Sequence, residues 1–361
     1  MGDIIAAINA ALTAIGIPEE LDAILSFTIP AAVVFALFYV VLAILAKKGR
    51  MTRSTAAFWG FIFPWIFGFL VFTAGPMVYS LGLSFFDWDL VSAPTFVGFG
   101  NYVTAAQDPY VGKALQVTLL FAVVSVPLQV VLSLAVAMLM NVKVKGINIF
   151  RTIWYLPSLV TGVAQVALFL WVFNPKYGLV NGVLGFFGID GPSWFRDPNW
   201  ALPAVILMSL WTVGGNMVIY LAGLQDVPAE LHEAAQLDGA GQFRRFWNVT
   251  LPQLSPVIFF NVVTGLIGAL QTFTQGYIIQ AALQTGSGTG SSGTALLFFV
   301  LYLYQNAFNY FHMGYASALA WILFVMIMLL TLLVFRGSSF WVYYESARPA
   351  RKDRVRRVRT R

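Results

Sequence analysis

Long apolar stretches separated by short polar ones set the pattern of this chain, at 24–46, 58–85, 115–140, 149–173, 201–224, 256–280 and 315–335. Each is about 20 residues or more, the length an α-helix needs to cross the hydrocarbon core of a bilayer. The pattern therefore predicts an all-α integral membrane protein with about seven transmembrane helices. Residues 1–20 are only mildly apolar and predict a short helix on or near the membrane, ended by Pro18 and Glu19-Glu20. A signal peptide would have a basic start and a shorter apolar core, so that reading is rejected.

One polar, small-residue island interrupts the pattern at 226–252, between two of the long stretches. Asp226 can cap a helix start and Pro228 is tolerated in a first turn, so a helix is expected to run to about Leu237. Gly239 and Gly241 can turn at positive φ, and Gln242 to Val249 can resume a helix before Pro252 opens the next apolar stretch. Leu231, Ala234 and Ala235 share one helical face by spacing. That face is small and open to close approach by another surface.

Composition agrees with the membrane reading. Of the 361 residues 59% are hydrophobic and only 10% charged, where soluble domains carry about 25% charged residues. Mean hydropathy is +0.78. There is room for spans and loops but for no sizeable soluble domain. Cysteine is absent, which excludes disulfides and thiol chemistry in this chain, and His232 and His312 stand apart with no cluster of ligands around them. The interfacial preference of tryptophan accounts for Trp59, Trp88, Trp194, Trp200 and Trp341 at span edges. The segment 296–313 mixes aromatic and polar residues and is expected to lie partly at the interface.

Charge sets an orientation. With the amino terminus outside, 18 of the 21 basic residues fall on the inner side, and Lys113, Lys176 and Arg196 alone fall outside. Positive-inside bias thus places the 226–252 loop and the carboxyl terminus in the cytoplasm. The tail from Arg348 reads as a basic anchor beside anionic lipid. Without interleaved aromatics it is a poor nucleic-acid binder.

None of the 21 basic and 15 acidic residues falls well inside a predicted span. Proton-driven pumps usually need such groups, which disfavours a secondary transporter. No nucleophile with a base, and no metal cluster, points to a membrane enzyme. The P-loop pattern is missing too: the only Gly-Lys pair, Gly112-Lys113, is followed by Ala114 and preceded at the required position by Gln107. A transport pathway without its own engine needs one in trans, and the 226–252 loop is a suitable place to receive it. Uncharged polar and aromatic groups within the spans are Trp211, Asn216, Thr264, Gln271, Thr272, Phe273 and Gln275, with Thr274, Gln129 and Thr161. Amides, hydroxyls and aromatic planes are what a sugar site wants. Hydrogen bonding between neighbouring helices accounts for any one of them equally well.

The residues Glu233-Ala234-Ala235, Asp238-Gly239-Ala240, Phe246, Val249 and Leu251-Pro252 resemble, at matching spacing, the EAA loop of ABC-importer permeases. The likeness extends over about 58–345 and is closest to the carbohydrate-uptake, maltose and glycerol-3-phosphate branch. Segments such as Ser84-Phe-Phe-Asp-Trp-Asp89, Phe173-Asn-Pro175 and Met313-Gly-Tyr-Ala-Ser-Ala318 carry it. The resemblance implies a permease subunit, not an enzyme, whose Glu233, Ala234, Ala235, Asp238, Gly239, Ala240, Leu251 and Pro252 meet an ATPase. It implies as partners a second permease, two ATP-binding-cassette subunits that hold ATP and Mg, an extracellular or periplasmic binding protein and a sugar, with no cofactor in this chain. The expected location is the prokaryotic inner membrane. The expected organisation is an extension at 1–50 with one extra span, a six-helix permease domain at 51–340 and a basic cytoplasmic tail at 341–361. A neutral oligosaccharide is the expected substrate, with a polyol phosphate as the rival.

Overall fold

The computed structural model describes residues 19–283 and 294–343, and side chains from about residue 32 onward. The expected surface helix before Glu19, the glycine-serine loop at 286–293 and the basic tail from Arg348 lie outside the described residues. The chain divides into two compact units, Met1–Gly82 and Leu83–Arg361.

The first unit is a helical pair, α1 (Glu19–Lys47) and α2 (Arg53–Phe69). Thr52 caps α2 by accepting the Thr55 N–H at 3.2 Å. The two helices join through rings: Phe38 stacks on Phe63 with centroids 3.6 Å apart, and Phe35 meets Phe63 and Phe67 edge-on. A wide π-helical turn, Leu70–Ala74, leads from α2 into α3 (Gly75–Leu83). Pro76, which has no N–H to offer and whose ring crowds the carbonyl four residues back, follows this turn.

The second unit opens with a two-stranded hairpin, β1 (Phe86–Asp87) and β2 (Thr95–Phe96), in register Phe86 to Phe96. Between the strands one Asp89 carboxylate oxygen accepts the Val91 and Ser92 N–H groups and the Ser92 hydroxyl, at 3.0, 2.7 and 2.7 Å. Those donors, with the Ser92 hydroxyl foremost, hold the carboxyl down to about 2. Because the folded-state value is depressed, the turn's contribution is complete above the ordinary carboxyl range near 4 and is lost as pH falls through about 2. An NMR titration should place the Asp89 midpoint near 2 and move it upward in Ser92→Ala; a wild-type midpoint near 4 would refute this.

Asp108 ends α4 (Gly100–Gln107) and begins α5 (Pro109–Met140), accepting the Tyr110 N–H at 2.8 Å. α5 is the central strut. Val117, Phe121, Val126, Leu134 and Ala137 are buried along it, while Leu120, Val123, Leu128 and Val131 point outward. A stripe of exposed aliphatic side chains of that extent suits hydrocarbon or another apolar surface rather than water.

The next three apolar stretches are not straight helices, which corrects the expectation of plain spans. The stretch at 149–173 is α6 (Ile147–Tyr155), a 3-10 turn (Leu156–Leu159) and α7 (Gly162–Val172), bent by 99°. That at 201–224 is α9 (Pro198–Leu210) and α10 (Gly214–Gln225), bent by 47°, after the short α8 (Leu179–Phe186). The stretch at 256–280 belongs to a longer run over Gln242–Ala282, which the helix C-cap at Gln271 divides. Pro157 explains the first break, since it cannot continue the helical ladder. Among the described residues four helices are long and apolar enough to cross a membrane, six if each bent pair counts as one span, and Ala32–Lys47 is a shorter apolar helix.

Two further expectations are refined. The segment 296–313 divides: Leu296, Leu297, Phe298, Phe299 and Leu301 are buried core, while Phe308, Tyr310 and Phe311 are exposed. It forms α15 (Phe299–Tyr304) and a π-helical turn (Gln305–Asn309) before α16 (Met313–Ser338). Its entry is secured by Thr118 of α5, whose hydroxyl accepts the Phe299 N–H at 2.9 Å. Trp194 is likewise buried rather than interfacial, its indole N–H donating to Asn181 Oδ1 at 2.7 Å.

Candidate functional site: an exposed hairpin and a junction of broken spans

The polar island folds as a helical hairpin. α11 (Ala229–Leu237) ends at Gly239, whose φ of +74° reverses the chain. The Gly239 N–H bonds Gln236 O and the Ala240 N–H bonds Ala235 O, both at 2.9 Å, a Schellman closure that only a left-handed residue permits. Gly241 is extended rather than left-handed, with φ of −67°, and caps α12 (Gln242–Arg245). Asp226 does not cap α11 as expected; it closes α10, and Pro228 stands at the start of α11. A π-helical turn, Phe246–Thr250, then merges α12 into α13 (Leu251–Leu270) ahead of Pro252, as a similar turn precedes Pro76.

Only the base of the hairpin is anchored. Phe246 and Leu251 pack beside the buried Tyr220, Leu221 and Leu254. Glu233, Ala234 and Asp238 are exposed, Ala235, Ala240, Leu251 and Pro252 half-buried. At the tip Leu237 is 90% and Phe243 77% exposed, with Trp247 edge-on to Phe243. Apolar groups this bare, on a hairpin otherwise polar, form an exposed apolar tip.

At the other region three span breaks meet, after Leu159, after Leu210 and after Leu270. A Cβ built on Gly214 would lie 1.8 Å from Trp154 O, and one on Gly215 would lie 3.6 Å from Ser158, so α10 starts directly against the end of α6. A Cβ on Gly162 would touch Thr274 at 3.5 Å, which brings α7 to α14 (Thr274–Ala282). The loosened backbone is partly re-satisfied by a side chain: buried Gln165 donates its amide to Met208 O at 2.9 Å. Gln129 of α5 donates to Ser209 Oγ at 3.1 Å.

The sequence-predicted polar and aromatic residues divide accordingly. Trp211 stands in the second break, edge-on to Phe169 at 5.6 Å, with half-buried Asn216 one turn on. Gln271, Thr272 and Phe273 form the third break, Gln271 exposed and Thr272 buried, and half-buried Gln275 follows in α14. Thr264 is not brought there. It sits exposed on α13, its hydroxyl bonded to Phe260 O of its own helix.

The structure adds residues that the sequence reading passed over. Phe273 stacks on Tyr277 at 5.2 Å, Tyr304 lies 5.0 and 5.4 Å from those two rings, and Phe308 lies 4.9 Å from Tyr304. The four-residue spacings Phe273–Tyr277 and Tyr304–Phe308 were the available signal. No charged side chain belongs to this group. Among the described residues no three His, Cys, Asp or Glu side chains converge on a metal position.

Residues 129–339, from mid-α5 through the hairpin and all three breaks, match the family described as the binding-protein-dependent transport system inner membrane component. The probable ABC transporter permease protein YesP of Bacillus subtilis is 44% identical over 303 residues, covering 83% of this chain and 96% of the relative. The lactose transport system permease protein LacF of Rhizobium radiobacter is 36% identical, covering 78% and 93%. In fold, the chain is similar to a solved bacterial alginate ABC transporter, crystallised with an alginate pentasaccharide-bound periplasmic protein. The TM-score is 0.68 at 23% identity, over 81% of this chain and 96% of that one. By the length of the family match and by these relatives, this chain belongs to the inner-membrane permease components of binding-protein-dependent ABC transport systems.

Proposed function

We propose that the chain imports a saccharide, forming the pathway with a second permease, taking substrate from a binding protein outside and receiving work from two ATPase subunits at the hairpin inside. Relatives named for lactose, for arabinooligosaccharides and for trehalose and maltose support the substrate class. So do the amides and rings gathered at the breaks. The positive-inside charge bias supports an outer amino terminus and a cytoplasmic hairpin.

The observation that carries the reading is the chain's own continuity. α10 runs from the second break into the hairpin, and α12 and α13 run from the hairpin back to the third break. An ATPase that closes on Leu237, Phe243 and Trp247 would shift both helices that bound the polar junction. Glu233 and Asp238 would face basic groups of the ATPase, Gly239 would keep the turn, and Ala234, Ala235 and Ala240 would permit close approach. Trp211, Asn216, Gln271, Thr272, Phe273 and Gln275 would line the pathway, with Thr264 facing outward from α13.

The test is ATP hydrolysis by the chain reconstituted with a partner permease and ATPase, with binding protein loaded from a panel of sugars. Stimulation by a loaded form is expected; a chain that assembles with no ATPase overturns the reading. For the pathway, Phe273→Leu keeps an apolar side chain and removes the stacking plane. A roughly two- to tenfold rise in KM for uptake is expected, the size of an aromatic contact. An unchanged KM would remove Phe273 from the pathway.

A further inference from the structure

A second cleft, separate from the junction, opens at the end of the unit opposite the hairpin. Chain direction fixes that end, because α9 starts there at Pro198 on its way to the hairpin and α14 ends there at Ala282 on its way from it. The cleft encloses about 370 Å³, within the range of small-molecule sites. Phe173 and Phe195, buried and edge-on to each other at 5.6 Å, form its apolar base. Trp171, 53% exposed, and Tyr177, 68% exposed, line it as well. Arg196 and Ser193 complete the lining.

A charge makes this cleft unlike the junction. Arg196 is one of the three basic residues outside the inner-side clusters. Among the described residues no carboxylate pairs with the Arg196 guanidinium, and adjacent Asp197 uses Oδ1 to cap the Asn199 N–H at 2.8 Å. A planar guanidinium matches a carboxylate bidentately, while aromatic faces take the apolar C–H faces of a sugar ring. A neutral sugar would use the rings and leave the guanidinium idle.

We propose that this cleft binds an acidic sugar unit, a uronate carboxylate against Arg196 with its ring on Trp171 and Tyr177, as a receiving site ahead of the junction. The assignment rests on the saccharide-import reading and names which saccharides are favoured. Anionic lipid headgroups share the chemistry of the anion, so the bilayer used in the test must distinguish them.

The experiment uses the full chain in nanodiscs of pure phosphatidylcholine, with digalacturonate and neutral galactobiose as probes, read by calorimetry. Digalacturonate should bind, about tenfold or more weaker in Arg196→Gln, with partial recovery in Arg196→Lys; the few contacts of galactobiose should not respond to either change. Since Arg196 is exposed, both variants should fold, and unchanged thermal stability checks this. The proposal is overturned if digalacturonate does not bind the wild type, if Arg196→Gln binds it equally, or if galactobiose shows the same dependence on Arg196. It is also overturned if phosphatidylglycerol in the disc abolishes digalacturonate binding while itself being retained through Arg196. Binding to the chain alone needs no ATPase, so a failure here is distinguishable from a failure of hairpin coupling, which would leave digalacturonate binding intact.

Discussion

An importer carrying Gly239→Asp should assemble in the membrane yet lose the stimulation of its ATPase by loaded binding protein, with uptake falling by more than about tenfold. Space is not the reason, since a Cβ at Gly239 would meet nothing within 4 Å. The reason is backbone. At φ of +74° an L-residue other than glycine costs about 1–2 kcal/mol, and relieving that strain opens the closure made by the Gly239 and Ala240 N–H groups. The fold survives because the hairpin is anchored at its base by Phe246 and Leu251 rather than at its tip. An added carboxylate beside Asp238 also works against the bare apolar surface of Leu237 and Phe243. Gly239→Asn separates the two effects, because asparagine tolerates the left-handed region better and adds no charge; it should retain more stimulation than the aspartate. Normal stimulated hydrolysis in the assembled aspartate variant would sink the coupling role of this turn.

Neighbouring glycines at the junction should respond in opposite ways. Gly214→Ala would place its methyl carbon 1.8 Å from Trp154 O, a backbone atom that cannot swing aside, so the α6 and α10 ends must part. Overpacking of this kind costs about 1–3 kcal/mol, occasionally more. A clear fall in the thermal stability of the purified chain and near-complete loss of uptake are expected. Gly215→Ala meets only the Ser158 side chain at 3.6 Å, an ordinary contact, and should remain near wild type in both measurements. Equal damage from the two, or normal uptake in Gly214→Ala, would mean that the breaks need not stay in contact.

How much of this was legible in the sequence depends on which physical rule governs each element. Apolar length governs spans, and every predicted span corresponds to a helical stretch. The hairpin was equally readable, since few residues besides glycine satisfy a left-handed turn, and Gly239 occupies it. Errors arose where local signals competed. Asp226 has the chemistry of a helix start, yet the preceding helix continued to it and Pro228 took the start of α11. A periodicity that is apolar on all sides does not reveal a bend, neither the 99° one after Leu159 nor the 47° one after Leu210. The segment at 296–313 looked interfacial because Tyr302, Gln305 and Asn306 are polar. The burial of its first part, up to Ala307, depends on distant partners: Tyr302 donates to Asp108, and Gln305 donates to Gln280 Oε1 at 3.2 Å. The aromatic group around Tyr304 joins residues about 30 positions apart, a proximity that no local pattern encodes.

The wide turn at Phe246–Thr250 has a consequence for phase. An α-helix advances about 100° and 1.5 Å per residue, and a π-helical turn holds one residue more than its hydrogen-bond ladder requires. With that surplus residue removed, α12 would be rotated by about 100° against α13, swinging Phe243 to a different azimuth from Leu237. The turn therefore sets the compass bearing of the hairpin's apolar tip, fixing which way the protein presents it before any partner arrives.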